Sequence, residues 1–154
     1  MTEIYVDADA CPVKAEVMRV AERHAVSVHV VGNTWLRMDP SPLLNRVVVA
    51  EGADAADDWI AERIGPGDIC VTADIPLAAR CLEKGAQAIG STGKPFTTAS
   101  IGNALAMRDL MATLRETGEI TGGPSGFTKA DRSRFLQALE EAVRKAKREG
   151  TPST

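Results

Sequence analysis

Strand-forming stretches alternate with amphipathic helical stretches from the third residue onward, and this alternation restricts the chain to a parallel sheet covered by helices. Glu3–Asp7 reads as the first strand. Pro12 stands at a first-turn position ahead of a helix with Val13, Val17, Val20 and Ala21 on its apolar face. Val26–Val31 returns as a second strand, and Asn33 to Pro42, with two prolines, reads as a loop before the short strand Arg46–Ala50. Asp54 opens the next helix. Ile69–Ala73 is a near-continuous apolar strand, as expected in the middle of a parallel sheet, and leads into a helix opened by Pro76 and closed by Gly85. Ala86–Ile89 is a weaker fifth strand.

From Thr98 the spacing predicts a helix with Ala104, Met107, Met111 and Leu114 on one face, ending near Gly118. Thr121 to Gly126 reads as a loop. Thr128-Lys-Ala-Asp131 resembles a capping box and starts a last helix that turns Phe135, Leu139, Val143 and Ala146 inward. A chain of 154 residues is long enough to bury a core without staples. The expectation is a single α/β domain over residues 1–149 with a C-terminal helical extension, and a disordered tail at 150–154.

Cys11, Cys70 and Cys81 are odd in number and lack C-x-x-C spacing, which argues against a disulfide framework or a zinc knuckle. Cys70 and Cys81 read as small core residues. The chain enters the apolar run Ile4-Tyr5-Val6 with no basic leader before it, and charges interrupt every apolar stretch well short of a membrane span. A cytoplasmic location without membrane attachment is therefore expected. The net charge of −3 conceals an asymmetry: residues 1–74 carry 13 acids and 6 bases, residues 75–154 carry 8 acids and 12 bases. An acidic half normally disfavours nucleic acid, yet a carboxylate site has this composition before its cations are counted.

In open α/β sheets ligands bind beyond the carboxyl ends of the strands, so acids there carry particular weight. Asp7 and Asp9 leave the first strand, Asp54 with Asp57 and Asp58 opens the helix after the third, and Asp74 follows the fourth. Right-handed crossovers would bring these groups to one edge, where their mutual repulsion calls for a hard cation such as Mg2+ or Mn2+. Metal-assisted phosphodiester hydrolysis is the reaction class this suggests. Each acid also has a structural reading. Asp54 with Asp57, Asp9, and Asp74 all stand where helix caps are found, and Asp58 falls a turn along a helix, toward solvent. Asp7 is harder to explain that way, because an ionised group ending a central apolar strand is costly without a partner.

The strings Val6-Asp-Ala-Asp-Ala-Cys-Pro12, Gly52-Ala-Asp-Ala-Ala-Asp57, Val71-Thr-Ala-Asp-Ile-Pro-Leu-Ala78, Met107-Arg-Asp109 and Thr121-Gly-Gly-Pro124 resemble the bacterial YaiI/YqxD family over nearly the whole chain. That resemblance implies a relation to PIN-like nuclease domains, three-layer folds with a mainly parallel sheet, in which acids after the first strand, on a central helix and after a Thr-x-Asp strand bind metal. Asp7, Asp54 or Asp57, and Asp74 match those places, with Mg2+ or Mn2+ as the implied cofactor and RNA, rather than duplex DNA, as the implied substrate. After the fifth strand, where a further acid is expected, stands Gly90-Ser-Thr-Gly-Lys94.

That segment is not a P-loop, because Ala88 replaces its first glycine and Pro95 its final Ser or Thr. Thr72, Lys94, Arg37 and Arg108 are candidate phosphate or substrate contacts, each with a solvated or packed alternative. Arg46 and the basic last helix, with Lys129, Arg132, Arg134, Arg144, Lys145, Lys147 and Arg148, are further candidates for contact with an RNA backbone. Cys11 has no histidine partner in sight, and His24 and His29 lack ligand spacing. Two rival readings use the same acids: an aspartyl-phosphate phosphatase with Asp7 and Asp9 as nucleophile and acid, and a non-catalytic phospho-receiver module with Thr72 and Lys94 as switch residues.

Overall fold

The computed structural model describes residues 2–8, 13–33, 41–49, 55–102 and 128–150. Five strands, β1 (Glu3–Asp7), β2 (Ser27–Gly32), β3 (Leu44–Val48), β4 (Ile69–Val71) and β5 (Gln87–Ile89), pair in parallel in the order β3-β2-β1-β4-β5. Helices α1 (Lys14–His24), α2 (Ala55–Arg63), α3 (Ile75–Glu83) and α4 (Lys129–Gly150) flank the sheet, and residues 98–102 are also helical. The architecture is a three-layer α/β fold. β3 begins two residues before the sequence reading places it, because the pairing of Leu44 with Val28 sets its start. The predicted loop at 121–126 and tail at 151–154 lie outside the described residues, as do 103–118 of the predicted Thr98 helix.

Side chains alternate across the sheet and divide the core in two. Ile4, Val6, Val28, Val30, Ile69 and Val71 meet α1 and α4 on one face. Tyr5, Val31, Cys70 and Ala88 meet α2 and α3 on the other. The apolar positions read from helical spacing are all buried: Val13, Val17, Val20 and Ala21 beside α1, and Phe135, Leu139, Val143 and Ala146 on α4.

α1 and α4 run side by side in the same direction, opposite to the strands. Arg132 bonds Glu16 at 3.1 Å near their starts, and eight residues further along each helix Glu140 bonds His24. Glu140 also takes Arg23 at 2.8 Å, and Lys147 donates to the carbonyl of His24 at 2.6 Å. Burial would raise the Glu140 pKa, but bonds from His24 and Arg23 outweigh it and hold this carboxyl below its ordinary value. The start of α4 rests on the turn after β5. There Gly93 has φ +89°, and a Cβ built on it would stand 2.7 Å from the Arg134 carbonyl oxygen, so this close approach requires glycine.

Candidate functional site

The chain winds outward from β1 through β2 to β3, then crosses back to β4 on the other side of β1. The switch point, where open α/β sheets hold their ligands, therefore lies between the carboxyl ends of β1 and β4. Asp7 and Thr72 stand there. Asp7 is the last residue of β1 and by alternation lies on the α2/α3 side, like Tyr5. It is 8 % exposed, Thr72 is 2 % exposed, and the Thr72 hydroxyl donates to Asp7 Oδ2 at 3.0 Å.

The same hydroxyl oxygen accepts the amide of Asp74 at 2.9 Å, and Asp74 Oδ1 accepts the amide of Leu77 at 2.9 Å. These bonds explain the spacing of Thr72-Ala-Asp74-Ile-Pro76. The threonine fixes the orientation of the acid on β1, and the aspartate two residues later caps α3, whose first turn holds Pro76. Asp74 thus has the capping role, with one carboxylate oxygen engaged in it.

Asp57 lies in the first turn of α2 and is half-buried, whereas Asp58 is exposed and pairs with Arg80 at 2.8 Å. On the α2/α3 side of the sheet Cys70 of β4 is a fully buried thiol. Its hydrogen bond with Cys81, burial, and then the charges on Cys81, Asp7 and Asp57 push its pKa well above the ordinary thiol value. Asp57 belongs to α2, which packs on the same side of the sheet as Tyr5 and Cys70, the side to which alternation assigns Asp7. Among the described residues, no group of three His, Cys, Asp or Glu side chains could hold a metal ion. Two carboxylates nevertheless suit Mg2+, which takes one or two of them and fills its remaining positions with water and substrate oxygens. Asp9, Asp54, Arg37, Arg108 and Cys11 lie outside the described residues.

Lys94 is exposed on the turn after β5, beside the start of α4. The basic end of α4 is elsewhere. Lys147 reaches the last residue of α1, and Gln87 at the start of β5 donates to the Ala142 carbonyl at 3.0 Å. Arg144 and Lys147 therefore lie toward the amino ends of the strands, roughly 15–20 Å along the helix from Arg134, and both are bonded within the protein.

Two acids that the sequence reading passed over have distinct roles. Asp68 is 7 % exposed at the amino ends of the strands, where it accepts the amides of Glu3 at 3.1 Å and Gly65 at 3.0 Å. Burial raises its pKa despite those two bonds. Asp68 ties the entries of β1 and β4 together, and the Gly65-Pro-Gly67 turn before it was its sequence signal. Glu16 binds Arg132 through Oε1, while its buried Oε2 has no hydrogen-bond partner among the described residues. The signal for that pair was long-range register, which local spacing does not carry.

The model of the uncharacterised bacterial YaiI/YqxD family matches residues 5–145. The chain belongs to the YaiI/YqxD family. It is 63 % identical to a UPF0178 protein of Rhodospirillum rubrum over 147 residues, covering 95 % of this chain and 98 % of the relative. It is 62 % identical over 152 residues to a UPF0178 protein of Parvibaculum lavamentivorans, covering 99 % and 100 % of the two chains. A UPF0178 protein of Rhodopseudomonas palustris is 60 % identical over 154 residues, covering 99 % of this chain and 98 % of the relative. No solved structure matches. Among the described residues, no helix of this family member is long and apolar enough to cross a membrane.

Proposed function

We propose that this chain is a divalent-metal-dependent phosphodiesterase of the cytoplasm, acting on RNA in preference to duplex DNA. The observation that carries this reading is the buried Asp7 at the switch point, oriented by Thr72, on the side of the sheet where α2 with Asp57 packs. Carboxylates brought together from a strand end and a neighbouring helix repel one another, and a hard cation relieves that repulsion. Asp7 and Asp57 would hold Mg2+ or Mn2+, with Asp54 and the second oxygen of Asp74 as further candidate ligands and Asp9 as a further candidate catalytic acid. The bound ion would supply an activated water and shield the charge developing on the phosphodiester.

The protein's own part is positional. Thr72 fixes the rotamer of Asp7, and the Thr72–Asp74 bond fixes Thr72 to the capped start of α3. The acid thus meets substrate without reorganising. The relation to PIN-like domains implied by the motif strings supports the same chemistry by analogy.

The test is cleavage of single-stranded RNA by metal-stripped protein, with and without millimolar Mg2+ or Mn2+. Cleavage that appears with the metal and disappears with EDTA is expected. RNA left intact under every metal condition, or a phosphoenzyme trapped on Asp7, would overturn the reading.

A further inference from the structure

Beside the switch point, the turn after β5 and the first turns of α4 enclose an open cleft of about 550 Å3. Lys94, Pro95, Arg134, Gln137, Ala138 and Glu141 line it. Its lining joins the cations Lys94 and Arg134 to the acids Asp131 and Glu141, the amide of Gln137 and the apolar Pro95 and Ala138. We propose that this cleft receives one unpaired nucleotide of a single-stranded RNA, with a phosphate on Lys94 and Arg134 and the base against Pro95 and Ala138. The proposal rests on the phosphodiesterase reading for its choice of RNA.

The charges in the cleft are ordered rather than merely mixed. Asp131 Oδ2 accepts the amide of Thr128 at 3.0 Å as part of the α4 cap, and its Oδ1 bonds the Arg134 guanidinium. Asp131 is therefore committed to the helix start and steadies Arg134, whose side chain is still 63 % exposed. A guanidinium so held keeps N–H groups for a phosphate. Gln137 and Glu141, one and two turns further along α4, offer a donor and acceptors to the edge of a base.

Position favours the same strand of RNA that would occupy the switch point. Gly90, which opens the turn, has its Cβ direction 3.9 Å from the Thr72 carbonyl oxygen, and β5 lies two strands from β1. Two strand spacings are about 10 Å along the carboxyl edge of the sheet, and the RNA would cross that edge from the α4 side to the α2/α3 side, where Asp7 lies. The turn is fixed on α4 by the Gly93 approach to Arg134, so the cleft is preformed. A base can enter it only when unstacked, which selects single strands over duplexes.

The experiment measures binding of a fluorescent single-stranded oligoribonucleotide to full-length protein in EDTA across a salt series, so that neither metal nor turnover enters. Lys94→Ala/Arg134→Ala is expected to weaken binding at least tenfold and to reduce the salt slope by about 0.7, from the one lost phosphate contact. Ala138→Trp fills the floor without changing charge, and should weaken binding at least tenfold with the slope unchanged. Lys145→Ala/Arg148→Ala, on the distant end of α4, should alter affinity less than the cleft pair. Melting curves establish that each variant is folded. Unaltered affinity in either the Lys94/Arg134 or the Ala138 variant overturns the proposal, as does tighter binding of duplex than of single strand. Cleft-dependent binding without metal-dependent cleavage would leave this inference standing and remove the phosphodiesterase. Cleavage without cleft dependence would do the reverse.

Discussion

Asp7→Asn is expected to abolish metal-dependent RNA cleavage while leaving the metal-free fold within about 1 kcal/mol of wild type, or above it. The substitution keeps the shape and retains an amide oxygen able to accept the Thr72 hydroxyl, so the bond that orients this side chain survives. It removes a buried negative charge from the switch point, and with it the repulsion that neighbouring carboxylates of the proposed site would feel. A structural Asp7 would behave differently: an amide cannot replace every acceptor of a carboxylate, and stability would fall by about 1–3 kcal/mol with or without metal. Four melts, of wild type and mutant with and without Mn2+, separate the cases. A cation binding only the folded state stabilises it by about 2.7 kcal/mol at a concentration 100 times its Kd. The wild type should show an upward shift of this kind and Asp7→Asn should lack it. A mutant destabilised without metal and still shifted by Mn2+ would contradict the account.

Phe135→Ala is expected to lower stability by about 3–5 kcal/mol, a large share of what a domain of this size has in reserve. Phe135 is fully buried, in the cluster that joins α4 to Ile4, Val6 and Val17. The cavity has little means of closing, because a Cβ on Gly93 would already lie 3.1 Å from the Phe135 amide nitrogen, which leaves the helix no room to move onto the turn. Urea denaturation should show a lower midpoint at an unchanged m value. The half-buried neighbour Leu136 should cost less when truncated to alanine. A loss under about 1 kcal/mol for Phe135→Ala would mean that α4 is not an integral part of the core.

The layered α/β class, the inward stripes of α1 and α4, and the acid ending β1 were legible in the sequence because each is a local pattern. Period 3.6 places Val13, Val17 and Val20 together, and a charge after Ile4-Tyr5-Val6 marks a strand end. The Thr72-Ala-Asp74 string stood out in the sequence, but its bonding did not. Only the neighbouring positions of β1 and β4 show that its threonine bonds Asp7 while its aspartate caps α3. The basic last helix shows a different limit. Its basic residues were legible, but not their internal bonds: register against α1 brings Lys147 to the His24 carbonyl, and Arg144 reaches Glu140 one turn earlier on the same helix. Asp68 and Glu16 escaped notice for the same reason, since their partners come from distant segments. Likewise, the Gly90–Lys94 segment resembled half of a phosphate loop, whereas its glycine at 93 serves a close approach to α4.

The most direct measurement is the anomalous scattering of Mn2+ soaked into crystals of the metal-stripped protein. The expected result is a peak in coordination contact with the Asp7 carboxylate, on the α2/α3 side of the sheet beside Thr72 and Asp57. A map with manganese only at other surface acids, and none at Asp7, would contradict the assignment of this switch point as a metal-dependent site.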